Sequence, residues 1–198
     1  MIEFTLSKIN LLILVVALFG IISFFTFNLG GVFLVNEVKQ ELDTYSATIN
    51  ASLIAPTTCD SKPFSIPPKF KSFGSDVFYT LSLSQIPDGL GNRLIFSASD
   101  IRKPDLVLAA SSLATDARIV IFSDAGGTFF PLSPGEEYVL DPQSVPPRNA
   151  FYMVKSVMRG NTTLYLIPCA ISAHAETCQT NKQLVNQFLT SSGEGFVC

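Results

Sequence analysis

Hydrophobic and polar positions along the chain fall into three successive patterns. From Ile9 to Val35, 27 residues carry no charged side chain (INLLILVVALFGIISFFTFNLGGVFLV). About 20 apolar residues in a helix suffice to cross the hydrocarbon core of a bilayer. A backbone in lipid must satisfy its own hydrogen bonds, so this run predicts a membrane-spanning helix. It outlasts the roughly 7–15 apolar residues of a cleavable signal peptide, and Asn28-Leu29-Gly30-Gly31 offers no A-x-A-like cleavage site. Glycine disfavours helix by about 1 kcal/mol relative to alanine, so Gly30–Gly31 predicts a kink.

Beyond Val35 the pattern becomes periodic. Val38, Leu42, Tyr45 and Ile49 recur at steps of four, three and four, the spacing of one helical face, while Glu37, Lys39, Glu41 and Asp43 take the others. Pro56 stops the helix at or before Ala55. Residues 3–54 are therefore read as one helix about 75 Å long, at 1.5 Å per residue, apolar all round in its lower half and amphipathic in its upper half. Such a stripe packs either on the chain's own folded domain or on another copy or partner. Both need one apolar face, so periodicity leaves the two open.

The third pattern is short and alternating. Thr57 to Gly74 carries Pro63, Pro67 and Pro68 without a period and reads as an extended linker. From Ser75 onward, strands are predicted at Val77–Leu83, Arg93–Ser97, Leu106–Leu108, Arg118–Phe122, Thr128–Phe130 and Glu137–Leu140. Phe151–Val157 and Thr162–Ile167 flank Arg159-Gly160-Asn161 as a hairpin. Asn181 to Thr190 places Leu184, Val185, Phe188 and Leu189 on one face of a short C-terminal helix. The expected class is α+β: a long N-terminal helix, then a mainly antiparallel β domain, sandwich-like or a bent sheet. The expected divisions are a short cytoplasmic N-terminus at 1–8, a transmembrane helix at 9–35, a helical stalk at 36–55, a linker at 56–74 and an exocytoplasmic domain at 75–198.

Composition narrows the partners. A chain of 198 residues accommodates one span and one domain of about 140 residues. With a net charge of −3 and no run of four basic residues, nucleic acid is not an expected partner. All four cysteines follow the span, which fits disulfides formed in an oxidising compartment. Cys169 and Cys178, nine apart around a polar loop, are the favoured pair, leaving Cys59 with Cys198. No C-x-x-C occurs and His174 is the only histidine, which disfavours metal. Lys8 and the terminal amine, opposed by Glu3, precede the span, and Glu37, Lys39, Glu41 and Asp43 follow it, a balance that favours N-terminus in and C-terminus out by a small margin. Asn50-Ala-Ser and Asn161-Thr-Thr are candidate glycosylation sites.

Candidate chemistry is sparse. His174 has only Glu176 as a nearby acid, and no serine lies in a G-x-S-x-G turn. Asp100, Asp105, Asp116, Asp124, Glu136, Glu137 and Asp141 are scattered, without a calcium-loop pattern. Gly126–Gly127 lacks the lysine of a P-loop and the third glycine of a dinucleotide loop. Phe73 and Phe129–Phe130 are candidate contact residues. No cofactor, no metal and no enzymatic activity are expected.

A long N-terminal helix, apolar for about 25 residues and amphipathic for about 20 more, followed by a β domain closed by late cysteines, resembles the type IV pilin-like proteins. Phe4-Thr5-Leu6 is similar to the start of a mature pilin, although Glu3 stands where that family has a small residue, and Lys8 where it has glutamate. The resemblance implies a helix that anchors the stored subunit and packs at the core of an assembled filament. The expectation is a single-pass, membrane-anchored exocytoplasmic structural or interaction protein. Its partners would be the lipid bilayer and, through the Val38–Ile49 stripe, another copy or an envelope protein. The alternative is a pilin-like subunit of a filament or secretion pseudopilus.

Overall fold

The structure, a computed structural model, describes residues 2–72, 75–89, 91–125, 127–158, 160–171 and 177–191. Helix α1 (Ile2–Ile54) is unbroken over 53 residues. The Gly30–Gly31 pair, expected to kink it, does not interrupt its hydrogen bonding. It ends two residues before Pro56, as the steric restriction ahead of proline requires. Thr26, a polar residue inside the apolar run, satisfies its hydroxyl by donating to the Ile22 carbonyl at 2.8 Å.

Eleven strands follow among the described residues: β1 (Cys59–Ser65), β2 (Phe70–Ser72), β3 (Ser75–Val77), β4 (Tyr79–Asp88), β5 (Gly91–Asp100), β6 (Lys103–Thr115), β7 (Arg118–Ala125), β8 (Thr128–Pro131), β9 (Glu137–Leu140), β10 (Ala150–Met158) and β11 (Asn161–Cys169). Helix α2 (Cys178–Ser191) comes last. One sheet has five strands in the order β1-β10-β11-β7-β8, a second has four in the order β6-β5-β4-β9, and β2-β3 form a small ribbon. Pairing is antiparallel throughout except for β11 with β7.

The segment expected as a proline-rich linker is thus built into the fold. β1 pairs along its whole length with β10, from Cys59 opposite Ser156 to Ser65 opposite Ala150. Proline cannot donate to a ladder, and Pro63 is tolerated because β1 is an edge strand. The short run read at Leu106–Leu108 is likewise one part of the 13-residue β6. Its continuation, Ala109-Ala110-Ser111-Ser112, has weak strand propensity.

Two apolar layers organise the domain. The inner faces of the sheets, with Leu83 and Phe96 from one and Ile121, Met153 and Leu166 from the other, share a core with Val38, Leu42, Tyr45 and Ile49 of α1. The outer face of the five-stranded sheet carries Phe122, Tyr152, Val154, Tyr165 and Ile167 under Val185 and Leu189 of α2. β10 and β11 are therefore covered on both sides and buried almost continuously, as near-unbroken apolar strands are. Of the four α2 residues expected on one face, Val185 and Leu189 are buried, while Leu184 and Phe188 stay half exposed at its flank. At the β10–β11 hairpin Gly160 has φ +83°, a conformation that favours glycine.

Candidate functional site

Helix α1 is the feature that distinguishes this chain, and its two halves meet different surroundings. From Ile9 to Val35 the large apolar side chains that face outward are between 39% and 67% exposed. An 18-residue window of the helix has mean hydropathy 2.6 and no buried residue, so it is long and apolar enough to cross a membrane. From Val38 onward the stripe is buried in the chain's own β domain. Val38 and Leu42 are fully covered, and Tyr45 stacks edge-on against Phe64 of β1 at 4.6 Å.

Polar contacts lock the flanks of that seam. α1 runs alongside β6, where Ser111 donates to Asp43 at 2.7 Å and its hydroxyl lies 3.2 Å from that of Ser46. On the other flank Ser52 donates to Asp60 of β1 at 2.6 Å. The helix end is held by Lys155, only 3% exposed on β10, whose ammonium donates to the Leu53 carbonyl at 2.8 Å and the Ala55 carbonyl at 2.5 Å. The last carbonyls of a helix lack intrahelical donors and carry its partial negative charge, so a buried cation there answers both needs. The Tyr45 hydroxyl, in contrast, is buried near Glu41 and Tyr79 without a well-aligned hydrogen bond to either.

The disulfide Cys169–Cys178 ties the end of β11 to the start of α2. Cys59 is also disulfide-bonded; Cys198, its expected partner, lies outside the described residues. Disulfides mark an oxidising, non-cytoplasmic environment. The candidate glycosylation residues Asn50, on α1, and Asn161, at the start of β11, are both exposed.

Open grooves among the described residues carry polar groups. One, of about 330 Å³, is lined by Asp124, Tyr138, Ser144, Arg148 and Asn181 beside the Cys169 disulfide. Tyr138 donates to Asp124 at 3.0 Å. Burial pushes its hydroxyl pKa well above the ordinary tyrosine value, the Asp124 charge adds to the rise, and Arg148 opposes it. Asn181 is committed to the Pro168 carbonyl at 2.8 Å. A second groove, of about 500 Å³, lies between Glu37 and Glu41 of α1 and the segment Pro67–Lys71. A third, of about 660 Å³, is framed by Asp88, Asn92 and Asp116.

Several of the scattered carboxylates turn out to be structural. Asp100 accepts from the Arg102 amide, Glu136 from Ser133 and Asp141 from Gln143, each across a turn. Asp105, Asp116 and Glu137 are exposed. Among the described residues no three metal-ligating side chains converge. His174, Glu176, Phe73 and Gly126 lie outside the described residues. Of the candidate contact pair, Phe129 is buried under α2 and Phe130 is half exposed.

Sequence reasoning missed the Lys155 cap, the Asp43–Ser111 contact and the Tyr138–Asp124 groove. Only the first had a signal: a single charge inside the apolar run Phe151-Tyr152-Met153-Val154-Lys155 must find a partner if the strand is buried. Compared with known proteins, the chain matches no family model, no curated protein and no solved structure. Architecture defines it instead: one apolar helix able to anchor a disulfide-bonded, β-rich domain. That layout is compatible with pilin-like proteins.

Proposed function

We propose that this chain is a single-pass membrane protein, N-terminus in and C-terminus out, whose β domain serves a structural or interaction role outside the cytoplasm without catalysing a reaction. The observation that carries the reading is the division of α1: one continuous helix, apolar and uncovered below, interlocked with the β domain above. A helix held at its flank by Asp43 and Asp60 and at its end by Lys155 transmits the orientation of its lower half directly to the domain. The non-catalytic part of the reading is supported by the turn-capping carboxylates and by the Asp124–Tyr138 pairing. Protease added to intact cells should degrade the β domain while the Ile9–Val35 segment stays membrane-bound and protected. Full protection of the domain, or extraction of the chain by alkaline carbonate, would overturn the reading.

The same division favours a second reading, a pilin-like subunit, because the exposed lower half is the part that would pack in a filament. The mass of the N-terminal peptide from native cells separates the two. Cleavage before Phe4 with N-methylation supports the filament subunit, and a Met1 terminus supports the plain anchored module.

A further inference from the structure

The charge-free run and the packed core overlap on α1. Leu34 lies inside the Ile9–Val35 run yet packs against the core of the β domain. Val38, fully buried, is only three residues beyond Val35, about 4.5 Å of axial rise. No neck separates the apolar run from the domain.

The end of the domain at this level can be traced from contact to contact. Glu37 and Glu41 share a groove with Pro67 and Pro68. Tyr79, which opens β4, donates to the Pro67 carbonyl at 2.7 Å and pairs in register with Asp100, so the β5–β6 turn at Ile101–Arg102 belongs to the same end. The 141–149 loop joins it through Gln143, whose amide donates to the Pro68 carbonyl at 2.7 Å. Along α1, Ser111 meets Asp43. Val107, four strand residues earlier, lies about 13 Å closer to the foot, which is the rise from Asp43 down to about Leu34.

Two segments at this foot, the start of β6 and the 141–149 loop, are apolar and open. Leu106 and Val107 are 49% and 54% exposed, and Val145, followed by Pro146–Pro147, is 97% exposed. The turns at the far end carry Asp88-Gly89 and Asp116 instead. Resting on the reading of α1 as a membrane span, we propose that the foot is a lipid-contacting surface. Leu106–Val107 and Val145–Pro146 enter the headgroup and upper acyl region of the bilayer that α1 crosses, and so set the tilt of the domain. Arg102, Lys103 and Arg148 beside these segments are matched in number by Asp100, Asp105 and Asp141, so these stretches carry no net positive charge. The contact is therefore apolar, and it does not depend on anionic lipid.

The chain contains no tryptophan, so single-tryptophan reporters test the foot in the full-length protein. Leu106→Trp, Val145→Trp and, as the far-end control, Asn161→Trp are reconstituted into phosphatidylcholine vesicles, with and without brominated acyl chains. Emission at 106 and 145 should be blue-shifted and quenched by the brominated lipid, while emission at 161 stays red and unquenched. Adding anionic lipid should change neither result. Foot reporters as hydrated as the control, in protein that floats with the vesicles, overturn the lipid contact and leave the anchoring reading intact. Failure to float overturns both. A blue shift without bromine quenching, lost on dilution of the protein in lipid, would mean that a second copy covers the foot, and it too overturns the proposal.

Discussion

The lower and upper halves of α1 belong to one helix, yet different surroundings hold them. From Ile9 to Phe33 no face is favoured, and apolar side chains point outward around the helix. Above that stretch the apolar positions narrow to Val38, Leu42, Tyr45 and Ile49, and each is covered by the β domain. An all-round apolar helix requires an apolar surrounding, whereas a striped one requires a single apolar partner. Here the partner of the upper half is part of the same chain, so the β domain and the helix cannot be varied independently.

Substitution should break this contrast first at Leu42. Leu42→Ala removes a fully buried side chain from the seam and is expected to cost about 2–5 kcal/mol of domain stability. The matched change Leu14→Ala, on the uncovered half, should leave thermal unfolding of the domain within about 0.5 kcal/mol. Equal losses at the two positions would mean that the halves are not distinct. A smaller effect is expected at Lys155. Lys155→Met keeps the stem but leaves the Leu53 and Ala55 carbonyls without their donor, a loss of about 2 kcal/mol measurable by denaturant unfolding.

Alkaline titration distinguishes the domain from the lower helix in another way. Burial raises the Tyr79 pKa above the model-peptide value of 10.0, with the Glu41 charge adding to it, and Tyr138 is raised by burial and Asp124. Below pH 10 both states hold these protons, and the stabilisation is fully present. As pH rises past 10 the unfolded chain releases them while the folded chain retains them. Stability should then fall by about 1.4 kcal/mol per pH unit for each tyrosine. Tyr138→Phe should make that slope shallower in a pH series of unfolding midpoints. The smallest effect is expected at Tyr45, whose buried hydroxyl lies near Glu41 and Tyr79 but forms a well-aligned hydrogen bond with neither. Tyr45→Phe should stabilise the domain by about 1 kcal/mol, read as a rise in Tm.

Much of the architecture was legible without coordinates. Charge exclusion over Ile9–Val35, the four-three-four stripe and the stop at Pro56 are local signals, and they specify α1 to its last turn. The Phe151–Ile167 hairpin was equally readable, because strands buried on both faces are apolar almost without a break. β1 and most of β6 were not. Pro63 argues locally against a strand, and Ala109 to Ser112 argue for nothing in particular. Their conformation is supplied by β10, β5 and α1, which lie far away in the chain.

By itself, then, the sequence determined which segments avoid water and with what period, because those are properties of neighbouring residues. Tertiary structure alone decided what the apolar stripe touches, since one face of a helix fits a β domain or a second helix equally well. It also decided that Lys155 caps α1 from 100 residues away and that the domain's foot begins at Leu34. Those are long-range pairings, chosen by the packing of the whole core and by the need of buried carbonyls for donors.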